Sequence, residues 1–169
     1  VDFEFSPGRG DDRYTGDRSA FDVYVRYDTA SGTKGFAGIE VKYHEGLDDP
    51  VAEHRDRYDE VALQMGCFAL DSASELRRKP LQQIWRDHLL VGAHKMVDGF
   101  DDAFFVFLYP QGNTACSNSV TAYSRCLSTG GSFRSWTIEG LVDKLSIHSN
   151  AQWITDFRRR YLDFSRLPL

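Results

Sequence analysis

Alternation of apolar and polar residues marks two strands in the first quarter of the chain. Residues 21–28, FDVYVRYD, alternate in this way, and residues 35–45, GFAGIEVKYHE, do so as well. Successive side chains of a strand point to opposite faces, so a period of two is typical of β-strands. The segment between them, TASGTKG, is rich in turn-forming residues. Together the segments predict an antiparallel hairpin.

Two further segments predict strands at the start and in the middle of the chain. Residues 1–5, VDFEF, alternate and end at the turn signal Ser6-Pro7-Gly8, which leads into a polar loop over 9–18. Residues 103–109, AFFVFLY, are apolar on both faces. Such a run is typical of a central strand that is covered on both sides.

Helical signals dominate the rest of the chain. Asp49-Pro50 predicts an N-cap followed by proline at the first helical position, and this helix is expected to end near Met65. A second helix is predicted from Pro80, with Gly99 as its stop. Further helices are expected over 114–127, after Thr137 and over 151–162. This order predicts a single α/β domain over residues 1–169, with a central mixed β-sheet flanked by helices.

Composition adds few constraints on function. The chain has 169 residues, 41% of them hydrophobic, which is enough for one domain with a substantial core. Its net charge of -5 gives no global sign of a nucleic-acid or membrane partner, although a local basic face can be hidden in that average.

Cysteine usage suggests the compartment in which the protein acts. Three cysteines without metal-ligand spacing predict reduced thiols in a cytoplasmic protein. No apolar run is long enough to span a bilayer, so no membrane partner is expected. Because the chain starts at Val1 in strand-like sequence, we expect some N-terminal sequence to be missing.

The predicted hairpin brings acidic and basic residues together. Symmetric pairing about the turn places Asp28 opposite Phe36 and Asp22 near Lys42, so Asp22, Glu40 and Lys42 share one face. Two carboxylates on neighbouring strands suit a hard divalent cation such as Mg²⁺. An amine beside them can offset charge on a phosphate or help to prepare an attacking water.

A solvated strand face is the competing interpretation of Glu40 and Lys42, since a half-buried strand often alternates in this way. Two observations favour a site. Asp22 lies in matching register, and Gly38, on the same face as Glu40, leaves room for a ligand to approach the backbone.

These residues resemble the D…(D/E)xK signature of the PD-(D/E)XK nuclease superfamily, the fold of many restriction endonucleases. Four segments in order, SAFDVYV, GFAGIEVKYHE, QIWRDHLL and FVFLYPQGN, resemble bacterial restriction-endonuclease-like proteins of this superfamily. The resemblance implies a restriction-endonuclease-like core. It also implies a DNA endonuclease of the restriction or repair type that uses Mg²⁺, with Mn²⁺ as a substitute.

The resemblance also implies roles for individual residues. Asp22 and Glu40 would hold the metal, the Val41 carbonyl would be a third ligand, and Lys42 would be the catalytic lysine. Three residues of the following helix would face the site or the DNA backbone: Gln83, Arg86 and His88. The chain departs from the family pattern because no helix before the first strand supplies an acidic residue, and Glu4 is the candidate substitute.

Several assignments have alternatives. Gln83 and Arg86 lie on adjacent helical turns, whereas His88 leans towards Trp85 and is also consistent with a core histidine. The basic runs at 77–79 and 158–160 are typical of solvated helix faces, but either run could grip phosphates.

Function likewise keeps two alternatives. One is a non-catalytic nucleic-acid-binding or interaction domain on the same fold, and the other is a nuclease that acts on RNA. Double-strand cleavage would favour a homodimer with two sites.

Overall fold

The computed structural model describes residues 1–129 and 131–163. Five strands form one sheet in the order β1-β2-β3-β4-β5. The strands β1, β2 and β3 are antiparallel neighbours, while β3, β4 and β5 run parallel to one another. This topology confirms the predicted mixed sheet. The strand bounds are Asp2–Phe5, Phe21–Asp28, Lys34–Val41, Asp102–Tyr109 and Phe133–Thr137.

Helices cover both faces of the sheet, as predicted. One core contains Phe36 and Phe105 and is closed by helices α1, α3 and α4, whereas the other contains Val106 and is closed by α5 and α6. In the described ranges, no helix combines the length and apolar character needed to cross a membrane. The helix bounds, from α1 to α6, are Asp56–Met65, Ala73–Leu76, Leu81–Asp98, Thr114–Arg125, Ile138–His148 and Gln152–Phe157, followed by a π-helical turn at Arg158–Leu162.

The first helix begins later than its proline predicts. Residues 50–55 are not helical, and α1 starts at Asp56. The Gln82 side chain explains part of this, because it accepts from the Ala52 N–H at 2.7 Å and donates to the Ala52 carbonyl at 2.8 Å. These bonds satisfy the backbone groups of Ala52 without a helix.

Two strand boundaries also differ from the sequence prediction. The strand β3 ends at Val41 instead of continuing to residue 45, because the N–H groups of Tyr43 and His44 donate to the Glu45 carboxylate at 2.8 and 2.7 Å. The edge strand β5 was not predicted. It is only five residues long and precedes α5, whose start after Thr137 agrees with the prediction.

The hairpin register is shifted by two residues from the predicted one. Asp28 pairs with Lys34, not Phe36, and the loop closes through the Thr29 N–H and the Thr33 carbonyl at 2.9 Å. A shift of two keeps Tyr24, Gly38 and Glu40 on one face, because the side-chain period of a strand is two. Phe21 departs from this alternation, since its ring packs over Gly38 on that same face.

Candidate active site

Asp22 and Glu40 lie close together at the ends of β2 and β3, where the charge of Asp22 acts on the Glu40 carboxylate. The paired register ends at Val23 and Ile39, one residue short of both acids. The Asp22 Oδ2 atom accepts a hydrogen bond from the Val41 N–H at 2.7 Å. This bond fixes the first acidic residue against the backbone of the second strand.

Glu40 is a buried acid with two donors on one oxygen. Its Oε1 atom accepts from Lys42 Nζ at 2.9 Å and from Gln83 Nε2 at 2.7 Å. The pKa of Glu40 is raised to about 7, chiefly by burial and then by the charge of Asp22, while Lys42 lowers it only in part. Burial and Asp22 together therefore outweigh the stabilisation that Lys42 gives to the Glu40 carboxylate.

Lys42 lies directly after β3 and is itself buried. Its backbone N–H donates to the Leu108 carbonyl at 2.9 Å, which continues the ladder between β3 and β4. Burial lowers the pKa of Lys42, but the charges of Glu40 and Asp22 outweigh this effect, so the pKa is raised overall. The side chain is thus an ammonium donor at neutral pH.

A cleft of about 240 Å³ opens beside Glu40. Asp22 and Lys42 do not line this cleft but adjoin it through their contacts with Val41 and Glu40. The charged and amide residues that line the cleft include Glu40, Asp49, Lys79, Gln82, Gln83, Arg86 and Asp87.

Arg86 is held in place by a buried acid of the polar loop. The Asp17 Oδ2 atom accepts from Arg86 Nε at 3.0 Å and Nη2 at 2.9 Å, and from the Tyr58 hydroxyl at 2.6 Å. Burial alone would raise the pKa of Asp17, but these donors and the Ser19 N–H lower it overall. Asp17 was not predicted, because its position in the polar loop over 9–18 carries no periodic signal that sets it apart from the other acids there.

His88 does not reach the cleft, so its assignment to the site or to DNA is wrong. It is fully buried, with Nδ1 2.8 Å from the Tyr123 hydroxyl and Nε2 2.8 Å from the Ser132 hydroxyl. Its ring packs against Phe105 and Phe133. The histidine is a hydrogen-bonded part of the core, which was the alternative interpretation.

Burial of His88 predicts loss of stability in acid. Burial lowers its pKa from 6.5 to about 3, so below pH 6.5 the unfolded chain binds a proton that the folded chain does not. The contribution of His88 to stability is complete above pH 6.5 and should fall by about 2 kcal/mol between pH 6.5 and 5, whereas the raised pKa of Glu40 acts in the opposite direction over the same range. Urea unfolding at several pH values across this range gives the slope of the unfolding free energy against pH. This slope should differ from the parent's in His88→Gln, because the variant lacks the contribution of His88, while the lowered pKa of His94 still contributes in both proteins. A slope equal to the parent's would contradict this assignment.

Glu4 is not among the residues that line the cleft. It is exposed on the edge strand β1, where its φ of +50° departs from regular strand geometry. The β1–β2 register, extended over this position, places it across from Asp22. Its role as a third acidic residue stays a prediction.

The two basic runs have different environments. Lys79 lines the cleft and donates to the Asp48 carbonyl at 2.5 Å, and Arg77 pairs with Asp59 at 2.6 Å. By contrast, Arg158 and Arg159 do not line the cleft, and each is paired with a nearby aspartate.

The donor set fits a hard cation. Within the described ranges, no three His, Cys, Asp or Glu side chains are placed to hold one metal ion. Mg²⁺, however, usually takes one or two carboxylates and keeps several waters. Asp22 and Glu40 supply two carboxylates, and a divalent cation would offset the repulsion by which the charge of Asp22, after burial, raises the pKa of Glu40.

Comparison with known proteins gives a family match. A family model of the PD-(D/E)XK nuclease superfamily matches residues 1–163, which include every strand and helix described above. No curated protein and no solved structure matches the chain.

Proposed function

The chain belongs to the PD-(D/E)XK nuclease superfamily, and we propose that it is a divalent-cation-dependent endonuclease that hydrolyses phosphodiester bonds in DNA. The observation that carries this proposal is the convergence of Asp22, Glu40 and Lys42 where β2 and β3 adjoin a polar cleft. A solvated strand face would leave Glu40 and Lys42 exposed, whereas both are buried.

Asp22, Glu40 and the Val41 carbonyl would hold the cation. A bound Mg²⁺ would supply Lewis-acid stabilisation of the charge that develops on the phosphate. Gln83 keeps the Glu40 carboxylate in one orientation through its 2.7 Å hydrogen bond.

Lys42 acts as a positive hydrogen-bond donor in this proposal. Because its pKa is raised overall, it is protonated at neutral pH in the cation-free protein. It would orient the attacking water and stabilise negative charge on the phosphate oxygens. Arg86, fixed by Asp17, adds positive charge to the lining of the same cleft.

Incubation of the purified protein with supercoiled plasmid tests the proposal. We expect nicked or linear product with Mg²⁺ or Mn²⁺ and none with EDTA. A structured RNA of similar length, in a parallel reaction, separates a DNA nuclease from an RNA nuclease. Binding of DNA without cleavage in either metal would favour the non-catalytic nucleic-acid-binding domain.

Lys79→Gln should weaken DNA binding and its dependence on salt. Lys79 is the cleft-lining member of the first basic run, so its loss should remove about one phosphate contact and lower the slope of log K against log salt by about one. Fluorescence anisotropy over a salt series measures both effects. Arg159→Gln, in the run away from the cleft, is the control, and an equal effect of both variants would argue against this binding surface.

A further inference from the structure

Asp87 is a buried acidic residue beside the site, and the sequence pattern did not predict it. It lies on α3 one turn after Gln83, lines the same cleft and is only 6% exposed. Its Oδ2 atom has no hydrogen-bond partner among the described residues. A buried polar atom left unpaired costs about 1–3 kcal/mol, and more when it is charged. Such an atom in a native structure calls for an explanation.

The cations near Asp87 are engaged by other acids. Arg86 directs Nε and Nη2 to Asp17. Lys42 Nζ lies 2.9 Å from Glu40 Oε1. The pKa of Lys42 is shifted mainly by burial, by Glu40 and by Asp22, and the charge of Asp87 also contributes. Lys42 and Asp87 therefore lie in the same electrostatic environment.

A cation bound at Glu40 would weaken the hydrogen bond between Lys42 and Glu40. Positive charge held by Asp22 and Glu40 would repel the ammonium group and weaken its bond to Glu40 Oε1. A buried ammonium that loses its partner is strongly destabilising. An ammonium group has three donors, so it can transfer a hydrogen bond to another acceptor. Asp87 Oδ2 is a buried acceptor without a partner among the described residues.

Resting on the proposed cation-dependent function, we propose that Asp87 is a positioning residue for Lys42. When a divalent cation engages Glu40, Asp87 Oδ2 accepts a hydrogen bond from the Lys42 ammonium. The lysine then stays beside Glu40, facing the phosphate, instead of withdrawing from the cation.

A double-mutant cycle in the intact chain tests this role, with Mn²⁺ alone as the probe. The proteins are the parent, Asp87→Asn, Lys42→Met and the double variant, each unfolded in urea with EDTA or with saturating Mn²⁺. We expect a weak coupling in EDTA, from the charge of Asp87 that acts on Lys42, and a coupling about fivefold or more larger in the unfolding equilibrium constant with Mn²⁺. Asp49→Asn, which removes another acid from the cleft lining, should show no coupling to Lys42 in either condition.

Three outcomes would overturn the role. Equal coupling in EDTA and in Mn²⁺ would show that the interaction between Asp87 and Lys42 does not depend on the cation. A loss of tenfold or more in Mn²⁺ affinity for Asp87→Asn, measured by calorimetry, would make Asp87 a cation ligand. Failure of Mn²⁺ to stabilise the parent would show that no cation binds at Glu40, and the hydrogen bond of Lys42 would then have no reason to transfer to Asp87.

Plasmid cleavage by the same proteins separates this inference from the proposed function. We expect Asp87→Asn to lower kcat about tenfold with KM unchanged, and to have no further effect in the Lys42→Met background. Cleavage at the parental kcat would reject the positioning role. If the parent does not cleave although the Mn²⁺-dependent coupling is present, the nuclease proposal fails and the contact between Asp87 and Lys42 stands.

Discussion

Asp22→Asn and Lys42→Met should each lower the rate of DNA cleavage by about 10²- to 10⁴-fold while the fold persists. Asp22→Asn keeps an acceptor for the Val41 N–H but removes one of the two charges proposed to hold the cation. Lys42→Met keeps the apolar stem of a buried side chain and removes the ammonium donor. DNA affinity should be retained, and Asp22→Asn should bind more tightly because a negative charge near the phosphate is lost.

The same hairpin offers a matched control. Asp28 and Lys34 are a cross-strand pair at the far end of β2 and β3, and both are exposed. Asp28→Asn and Lys34→Met make the same chemical changes away from the cleft. Nicking rate, melting temperature and DNA affinity should be compared at one salt and metal concentration. Parental cleavage by the folded Asp22 and Lys42 variants would leave these residues as a polar strand face without a catalytic role.

Glu40→Gln should abolish cation-dependent cleavage and yet stabilise the cation-free protein. The variant removes a proposed ligand, so we expect at least a 10²-fold loss of cleavage, the range found for essential catalytic groups. The pKa of Glu40 is raised to about 7, chiefly by burial and then by Asp22. Its contribution to stability is therefore present below pH 4.5 and lost as the pH rises through 7. A neutral glutamine avoids that loss and should add about 1–3 kcal/mol at pH 8.

Urea unfolding in EDTA at pH 8 measures this gain, and Mn²⁺ calorimetry measures the loss of binding. Glu53→Gln, an exposed acid of the loop before α1, is the control and should change neither quantity. Reduced stability of Glu40→Gln in EDTA would contradict this prediction. It would show that losing the ion pair between Lys42 and Glu40 costs more free energy than removing the buried charge gains. Unchanged Mn²⁺ affinity would remove Glu40 from the proposed cation site.

Alternation along the strands was sufficient to bring Asp22, Glu40 and Lys42 to one place. The predicted hairpin register was wrong by two residues, yet Glu40 stayed on its predicted face, since only an odd shift exchanges the faces of a strand. Asp22 joins the site through its bond to the Val41 N–H, next to Phe21, which departs from the alternation. The apolar run at β4 likewise predicted its central position between two helical layers. These features depend on local periodicity, which the sequence carries directly.

Tertiary structure alone decided which polar residues of α3 face the cleft. Twelve of the eighteen residues of this helix are buried, including His88 and Asp87. A helix that packs on several sides has no solvent-facing stripe, so periodicity could not place His88 in the core or Asp87 beside Glu40. Long-range partners decided the rest: Asp17 fixes Arg86 from 69 residues away, and Gln82 satisfies the Ala52 backbone from 30 residues away. The sequence determined which face of the hairpin carries the acids and the lysine, while packing of distant segments determined what surrounds them.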